Sequence, residues 1–377
     1  MIRILICGDY CPYGRVLNLV EAEKYDEVFG QVLNYTSQAD YSIVNLESPV
    51  VESEARPIKK CGPNLLCSSK AVKALKYAGF NMTTLANNHF YDYGNEGVKD
   101  TLNACKEQNI DVVGGGINIG EASQILYKEI KGVKFAFINC CEREFSIATE
   151  CSGGSNPLNP VRQYYDIKDA KENADKVLVI VHGGHEHYNL PSPRMKETYR
   201  FFIDAGADAV INHHQHCYSG YELYRERPIC YGLGNFCFDW ENKRKMLWNE
   251  GYMIELLFED EKLEINTIPY VQGDSNPGVE IINDTSVFND NISRLNALIS
   301  DDVLLKNEFE KYLTKGKRFF DFCLEPYRSG LLSKLFHRGL MPPLFSAAKI
   351  PLIENMVVCE SHKDRFMYYL KTRREND

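Results

Sequence analysis

The residues best suited to chemistry in this chain are three histidines that directly follow an apolar run. The run covers residues 209–211, and His213, His214 and His216 come after it within five positions. A buried strand that delivers side chains at its carboxyl end is the usual way in which an open α/β sheet builds a metal or catalytic site. Seven of the nine histidines lie between positions 89 and 216, which favours one shared site over a surface scatter.

Four other short segments place polar side chains after further strand-like runs. They contain Asp9, Glu47, Asn88 with His89 and Asp92, and His182 with Glu186. Imidazoles and carboxylates without a thiolate quartet suit Zn, Fe, Mn or Ni rather than a structural four-cysteine zinc site. Two ions bridged by one carboxylate would activate a water, and a histidine outside the ligand set would protonate the leaving group. Asp92 is predicted to lie in the turn after His89 and to orient the imidazole of His89.

The elements that must position these residues alternate between strand-like and helix-like runs. Over residues 1–113 the order is βαβα, which indicates a largely parallel sheet covered by helices. Hairpin patterns follow at residues 125–139, 220–233 and 252–270, and they imply a second, mostly antiparallel sheet. The sequence therefore predicts an α/β fold in which two sheets are flanked by helices.

The order of the motifs resembles that of the CapA family of poly-γ-glutamate capsule biosynthesis proteins. The matching motifs are Gly-Asp, Asn-Leu-Glu, Leu-Ala-Asn-Asn-His-x-x-Asp-x-Gly, His-x-Gly-x-Glu, His-x-His and Leu-Gly-Asn-Phe, within about residues 1–270. Each motif alone is weak, but the ordered set is specific. The family looks like a branch of the calcineurin-like metallophosphoesterases. The resemblance therefore implies a four-layer α/β/β/α sandwich with metals at the carboxyl edges of its sheets.

The resemblance also implies a role for each motif residue. Six residues would hold one or two divalent ions (Mn, Fe or Zn), namely Asp9, Glu47, Asn88, His182, His214 and His216. Among these, Glu47 would bridge the two ions. His89 would act as the general acid or contact the transition state, while Arg15 and Glu186 would position an anionic substrate.

Departures from the metallophosphoesterase pattern concentrate at the first metal. Those enzymes generally begin with Asp-x-His, whereas this chain has Cys11 in place of the histidine. We favour a small buried residue at Cys11 over a thiolate ligand. The bridge is Glu47 where phosphoesterases use aspartate, and Asn212 and His213 stand where a glycine is usual.

The composition of the chain limits which kinds of partner it can bind and in which cellular compartment we expect it. A formal net charge of −9 argues against a general nucleic-acid binder, which needs clustered Lys and Arg. No apolar run reaches the roughly 18 residues of a membrane helix, and residues 1–7 are too short for the apolar core of a signal peptide. The 13 cysteines are irregularly spaced, as is typical of reduced thiols. We therefore predict a cytoplasmic protein.

The turn-rich segment at residues 272–278 predicts a domain boundary. Residues 1–272 would form the metallophosphoesterase-like domain, and residues 273–377 a helical, basic C-terminal extension. Residues 311–377 hold 13 Lys and Arg against 7 Asp and Glu. The basic, apolar stretch 329–338 is typical of a helix that covers a core, and peripheral contact with a membrane surface is the alternative.

Two hypotheses of function follow. The first is a metal-dependent hydrolase that acts on a phosphoester or on an amide-linked anionic polymer or its precursor. The second is a non-catalytic binding or assembly component of a capsule or polysaccharide export system. Loss of the Asp-x-His motif favours the second hypothesis, and retention of the other ligands favours the first.

Overall fold

The computed structural model describes residues 1–260, 262–314, 330–341 and 349–358, and the single positions 362, 366, 367, 369 and 370. The chain divides into two compact units, Met1–Phe309 and Glu310–Asp377. All described strands and the candidate site belong to the first unit. In the described part of the chain, no helix is both long and apolar enough to span a bilayer.

Strands and helices are numbered here in chain order. The strands are β1 (Ile2–Tyr10), β2 (Tyr41–Leu46), β3 (Met82–Thr84), β4 (Asp111–Val113), β5 (Gly115–Gly116), β6 (Leu126–Ile130), β7 (Val133–Cys141), β8 (Gly154–Ser155), β9 (Lys176–His182), β10 (Ala209–His213), β11 (Tyr221–Tyr224), β12 (Arg227–Cys230), β13 (Asn235–Cys237), β14 (Glu250–Glu259), β15 (Lys262–Gln272) and β16 (Val279–Ile281). The α-helices are α1 (Gly14–Glu21), α2 (Tyr25–Phe29), α3 (Val32–Thr36), α4 (Lys70–Tyr77), α5 (Gly94–Glu107), α6 (Ile119–Ala122), α7 (Pro160–Asn173), α8 (Pro193–Ala205), α9 (Ser286–Ser300), α10 (Asp302–Leu313), α11 (Gly330–His337) and α12 (Ile350–Val358). Short 3₁₀ helices cover Glu241–Lys243 and Leu247–Asn249.

The first sheet has eight strands in the order β16-β15-β14-β1-β2-β3-β4, and β13 pairs with β1 off this path. Strands β1 to β4 run parallel, as the βαβα pattern predicts. Asp9 lies opposite Asn45 of β2 and Asn235 of β13, so three polar side chains meet at one edge. A Cβ atom on Gly8 would overlap the carbonyl oxygen of Gly234, which explains the glycine of the Gly-Asp motif.

The second sheet has six strands in the order β11-β12-β10-β9-β7-β6. All three predicted hairpins form, as β6 with β7, β11 with β12, and β14 with β15. The prediction of a mostly antiparallel second sheet is wrong, because its central strands β7, β9, β10 and β12 are parallel. In the second sheet the hairpins lie at the two edges, and in the first sheet the hairpin of β14 and β15 lies between β1 and the edge strand β16. In the parallel centre, His182 lies opposite His213 at the carboxyl ends of β9 and β10.

Helices cover the outer face of each sheet, and the two sheets pack against each other. On the first sheet, α1, α4 and α5 join the buried cluster of β1 and β2, and α7 and α8 contact the second sheet. Between the sheets, the ring of Tyr41 stacks on that of Phe137 with centroids 5.6 Å apart. The Nε2 atom of His213 lies 3.0 Å from the carbonyl oxygen of Cys7 and joins β10 to β1. The predicted four-layer α/β/β/α sandwich is confirmed.

The first compact unit continues beyond residue 272. Strand β16 extends the first sheet by antiparallel pairing with β15. Helix α9 buries four apolar side chains, those of Phe288, Ile292, Leu295 and Ile299. Its Asn296 accepts a hydrogen bond of 2.8 Å from the backbone N–H of Tyr221. The turn-rich segment therefore connects β15 to β16 within the unit, and the boundary at residue 272 stays a prediction.

Cutting the chain at two positions tests where the folding unit ends. We expect a chain of residues 1–314 to unfold cooperatively in urea, and a chain of residues 1–272 to be less stable by several kcal/mol. The reason is that the shorter chain loses burial of four apolar side chains, each worth about 1.5–3 kcal/mol, and exposes β15 as an edge. Circular dichroism during urea unfolding measures both. Equal midpoints for the two chains would show that residues 273–314 are dispensable.

Candidate metal centre

The carboxylate of Glu47 lies at the centre of the predicted site. It directly follows β2 and is 0% exposed, and within the described structure neither of its oxygens has a hydrogen-bond partner. The Nε2 atoms of His182 and His216 each lie 3.7 Å from its Oε1 atom. Burial raises the pKa of Glu47 well above its usual value, and nearby carboxylates, Asp9 first among them, raise that pKa further. A buried carboxylate without partners is costly unless a cation balances it.

Two groups of candidate metal ligands share Glu47. Among the described residues, ligand atoms of Glu47, His182 and His214 lie within 4.8 Å of one another. The same holds for ligand atoms of Asp9, Glu47 and His216. Because Glu47 belongs to both groups, it lies where a bridging carboxylate would be needed. Nitrogen and oxygen donors in two such groups fit divalent ions such as Zn, Mn or Fe.

The histidines of the first group are held in the form that binds metals. Burial lowers the pKa of His182 well below its usual value and that of His214 to about 3, and neighbouring imidazoles add to both shifts. Neutral imidazoles have the free lone pair that a metal requires. The Nε2 atom of His182 is 3.1 Å from Nδ1 of His214 and 3.0 Å from Oδ1 of Asn88. Asn88 therefore adds an amide oxygen to this group.

Polar partners orient the second group. Asn45 donates a hydrogen bond of 2.8 Å to Oδ1 of Asp9, and the backbone N–H of His214 donates one of 3.2 Å to Oδ2. Nδ1 of His216 lies 2.8 Å from the amide oxygen of Asn235 and donates to it, because that oxygen can only accept. This bond leaves the Nε2 lone pair of His216 toward Glu47. Such outer partners determine the tautomer and direction of a metal-binding histidine.

Backbone strain marks the segment that carries the last two histidines. His214 has φ +94° and His216 has φ +55°, both in the left-handed region that favours glycine. Strain of this kind persists only where the surrounding structure over-determines it, and it clusters at functional sites. Here it brings both imidazoles to the Glu47 carboxylate.

His89 and Asp92 form the pair that the sequence predicts. Nδ1 of His89 lies 2.7 Å from Oδ2 of Asp92, and the other carboxylate oxygen of Asp92 pairs with the ammonium group of Lys60. Burial lowers the pKa of His89, and the partly opposing effect of Asp92 does not reverse that shift. If Nδ1–H donates to Asp92, Nε2 of His89 is left for a substrate.

A pocket of about 200 Å³ opens beside the ligand groups. Its lining combines three histidines with aromatic side chains and two charged groups: Pro63, Leu65, His89, Glu186, His187, His216, Phe238, Trp240, Lys243 and Trp248. Glu186 is exposed at this pocket, where its carboxylate raises the pKa of Glu47. Nine residues were predicted as metal ligands or as catalytic and substrate-positioning groups. The structure brings eight of them together, namely Asp9, Glu47, Asn88, His89, His182, Glu186, His214 and His216.

Arg15 is the ninth of these predicted site residues, and its contacts are with Asp239 and with the loop after β15. Its guanidinium group forms a two-pronged ion pair with the buried Asp239, with N···O distances of 2.8 and 3.0 Å. It also donates to the carbonyl oxygens of Gly273, Asp274 and Ser275. These bonds tie α1 to the loop after β15. A role in substrate binding stays a prediction, because the observed partners of Arg15 are all structural.

Cys11 lies in an apolar cluster. It is 1% exposed and packs with Leu65, Phe238 and Trp248. Burial, followed by the charge of Glu47, raises the pKa of its thiol well above the usual value. Neither ligand group among the described residues includes its sulfur atom. The packing is that of a small buried residue, as the sequence analysis favours.

Sequence reasoning missed two charged residues of the site. Glu144 has its Oε1 atom 3.7 Å from Nε2 of His214, and Lys60 is buried beside His89. Glu144 follows β7, so the strand-end rule could have found it. Lys60 lies in the long loop between β2 and α4 and offers no periodic or strand-end signal.

The sandwich, with two candidate ligand groups that share a carboxylate, is a metallophosphoesterase-like fold. The family described as bacterial capsule synthesis protein PGA_cap matches residues 3–240, and this chain belongs to that family. The capsule biosynthesis protein CapA of Bacillus anthracis is 37% identical over 246 residues, which cover 63% of this chain and 60% of that protein. The PGA biosynthesis protein CapA of Bacillus subtilis (strain 168) is 35% identical over 236 residues, which cover 62% of each chain. The chain thus matches about three fifths of the length of these relatives.

Among solved structures, one described as a novel phosphatase from Mycoplasma pneumoniae aligns with a TM-score of 0.45 and 17% sequence identity. The alignment covers 73% of this chain and 95% of that one.

The Arg15–Asp239 ion pair leads us to expect that the stability of the fold depends on pH. Burial would raise the pKa of Asp239, but hydrogen bonds from Arg15 and Arg244 outweigh it and leave the pKa below its usual value. Asp239 therefore stabilises the fold above about pH 4, the range in which the unfolded carboxyl is ionised, and the contribution disappears as pH falls through the folded pKa. We expect Asp239→Asn to cost on the order of 3 kcal/mol at pH 7 and progressively less toward pH 2. Urea unfolding at several pH values measures this.

The control is Asp290→Asn on an exposed position of α9. A cost for Asp239→Asn that does not decrease in acid would show that the ion pair is not its source.

The buried charge of Glu47 makes a second prediction. In the presence of a chelator, we expect Glu47→Gln to be more stable than the wild type, because it removes an unbalanced buried carboxylate. With Mn²⁺ or Zn²⁺ at about 100 times Kd, the wild type should gain roughly 3 kcal/mol and the variant little. Thermal unfolding with and without ions measures both, and Glu107→Gln on α5 is the exposed control. An equal gain in the variant would remove Glu47 from the ligand set.

Proposed function

We propose that this protein is a metal-dependent hydrolase of capsule polymer biosynthesis. Its substrate would be a phosphoester or an amide-linked anionic polymer or its precursor. The observation that carries the proposal is the fully buried carboxylate of Glu47, which has neither oxygen hydrogen-bonded within the described residues and lies between two ligand groups. An ordinary structural glutamate would have partners, whereas a metal bridge is left without them in the protein alone. Family membership supports the link to capsule polymers.

Divalent ions held there would supply Lewis acidity that polarises the scissile group and activates water. The protein's own part is to keep six ligands in place. Asp9, Glu47 and His216 would hold one ion, and Asn88, His182 and His214, with Glu47, the other. The aromatic walls of the pocket would limit the access of water to one side of this site.

His89 would assist the leaving group. Asp92 holds Nδ1 of His89 at 2.7 Å, and His89 lines the pocket, where its Nε2 would accept a proton from the attacking water and pass that proton to the departing oxygen or nitrogen. Glu186 would position substrate at the rim of the same pocket. Its carboxylate suits a donor group on the substrate, such as a hydroxyl or an amide N–H, rather than a second anion.

The second candidate function is a non-catalytic binding or assembly component of a capsule export system. It is favoured by the packing of Cys11 among apolar side chains, because the group with Asp9 then offers one ligand fewer than the other. In this case the site would hold one ion, and the basic C-terminal extension would contact the membrane surface. Helix α11 belongs to the stretch on which that contact was predicted, and residue 329 lies outside the described residues.

Two histidine variants test the proposal. We expect His214→Ala to lose about one equivalent of metal and all turnover, since it removes a ligand. We expect His89→Ala to retain the metal and to lower kcat by about 10²–10⁴-fold, as removal of a general acid does. Elemental analysis and a screen of phosphomonoester, phosphodiester and γ-glutamyl substrates measure these effects.

The outcomes separate the two candidates. Metal content and turnover that both survive His214→Ala would end the hydrolase proposal. Bound metal without turnover on any substrate class would favour the binding component.

A further inference from the structure

Lys60 is a charged residue of this site to which the proposed hydrolysis assigns no role. Its side chain is 2% exposed, and its ammonium group pairs with Oδ1 of Asp92. Its Nζ atom also lies 3.1 Å from Nδ1 of His89. Lysine is almost never buried to this extent without a charged partner, because removing its charge from water is costly.

Asp92, the partner of Lys60, is a centre of hydrogen bonding. Its Oδ2 atom lies 2.7 Å from Nδ1 of His89 and also accepts a bond of 2.7 Å from the backbone N–H of Leu65. Its main-chain carbonyl accepts bonds from the backbone N–H of Ile58, at 2.9 Å, and from the side chain of Asn64, at 3.1 Å. One residue therefore anchors the imidazole and the loop of residues 58–65 together.

The same loop forms a wall of the pocket. Pro63 and Leu65 line it together with His89. Since the side chain of Asp92 bonds both His89 and Leu65, a shift of this carboxylate would move the acid and the wall together. The distance between the His89 imidazole and a bound substrate thus depends on the position of the Asp92 carboxylate.

The charge of Asp92 also needs a balance. Asp92 is 0% exposed, and its negative charge acts on Glu47 in the same interior. The ammonium group of Lys60 is in direct contact with it and neutralises it where water cannot. Without Lys60, the charge of Asp92 would repel the other carboxylates of the site, and its side chain would move away from His89 and Leu65.

We propose that Lys60 is a positioning residue of the hydrolase. By balancing Asp92 it holds both the imidazole of His89 and the pocket wall of residues 63–65 in place relative to a bound substrate. The catalytic consequence rests on the proposed function, whereas the orientation of His89 does not. Lys60 does not line the pocket, so it acts through Asp92 and His89 rather than on substrate.

The kinetic test is a double-mutant cycle with Lys60→Met and His89→Ala. We expect Lys60→Met to lower kcat by about 10–100-fold, the usual effect of removing an outer partner, with KM and metal content within about twofold of the wild type. In the His89→Ala background the same change should cost less than about threefold, because the group through which it acts is gone. Lys73→Met on the exposed surface of α4 is the matched control and should leave kcat, KM and metal content unchanged.

A second measurement requires no turnover. In ¹⁵N spectra of histidine-labelled protein, assigned with His89→Ala, the wild type should show His89 as a single tautomer with its proton on Nδ1. We expect Lys60→Met to give a mixture of tautomers. If Lys60→Met unfolds, Lys60→Gln replaces it, because a neutral amide can still donate to Oδ1 of Asp92 but does not balance its charge.

These readouts separate the proposal from its alternatives. A raised KM that persists in the His89→Ala background would make Lys60 a substrate contact and overturn the positioning role. An unchanged His89 tautomer in a folded Lys60 variant would overturn it as well. If the wild type hydrolyses no substrate, the proposed function fails, and the tautomer result still decides the role of Lys60.

Discussion

The energetics of this molecule centre on a carboxylate that the fold removes from water without giving it a partner. Glu47 is 0% exposed, and in the described structure neither of its oxygens is hydrogen-bonded. Most buried polar groups in proteins are satisfied, so an exception of this kind has to be explained by function or by a bound ion. Two ligand groups share this carboxylate, and a cation in either would offset the free energy lost when the carboxylate is removed from water. The stability of the site and its chemistry are thus coupled.

The architecture makes that burial achievable. The carboxyl ends of the parallel strands of both sheets meet at one place, with Asp9 and Glu47 on one side and His182 and His214 on the other. Contacts across the two sheets, such as His213 with the carbonyl of Cys7, hold the edges together. The site is consequently a property of the sandwich and not of either sheet. Backbone strain at His214 and His216 is tolerated because the surrounding strands hold both residues in place.

Much of this could be predicted from the sequence, since strand-end positions are a local signal. An apolar run followed by His, Asp, Asn or Glu identified eight residues that the structure brings together, and the hairpin turns were correct. The order of strands in the second sheet was not predictable in this way. Hairpin patterns fix only which neighbours pair, whereas the position of a hairpin within a sheet depends on contacts between distant residues. Arg15 shows the same limit, because its partner Asp239 is 224 positions away.

The sequence by itself determined the α/β class, the order of the motifs and the types of ligand, because these depend on composition and on periodicity within short windows. Only the tertiary structure decided which charges are balanced. Lys60 lies in a loop without a pattern, yet it neutralises Asp92, and Glu144 approaches His214 from another strand end. Cys11 turned out to pack with apolar side chains, and its sulfur belongs to neither ligand group among the described residues. The physical reason is that burial and charge pairing depend on distances between residues far apart in the chain, and only folding sets those distances.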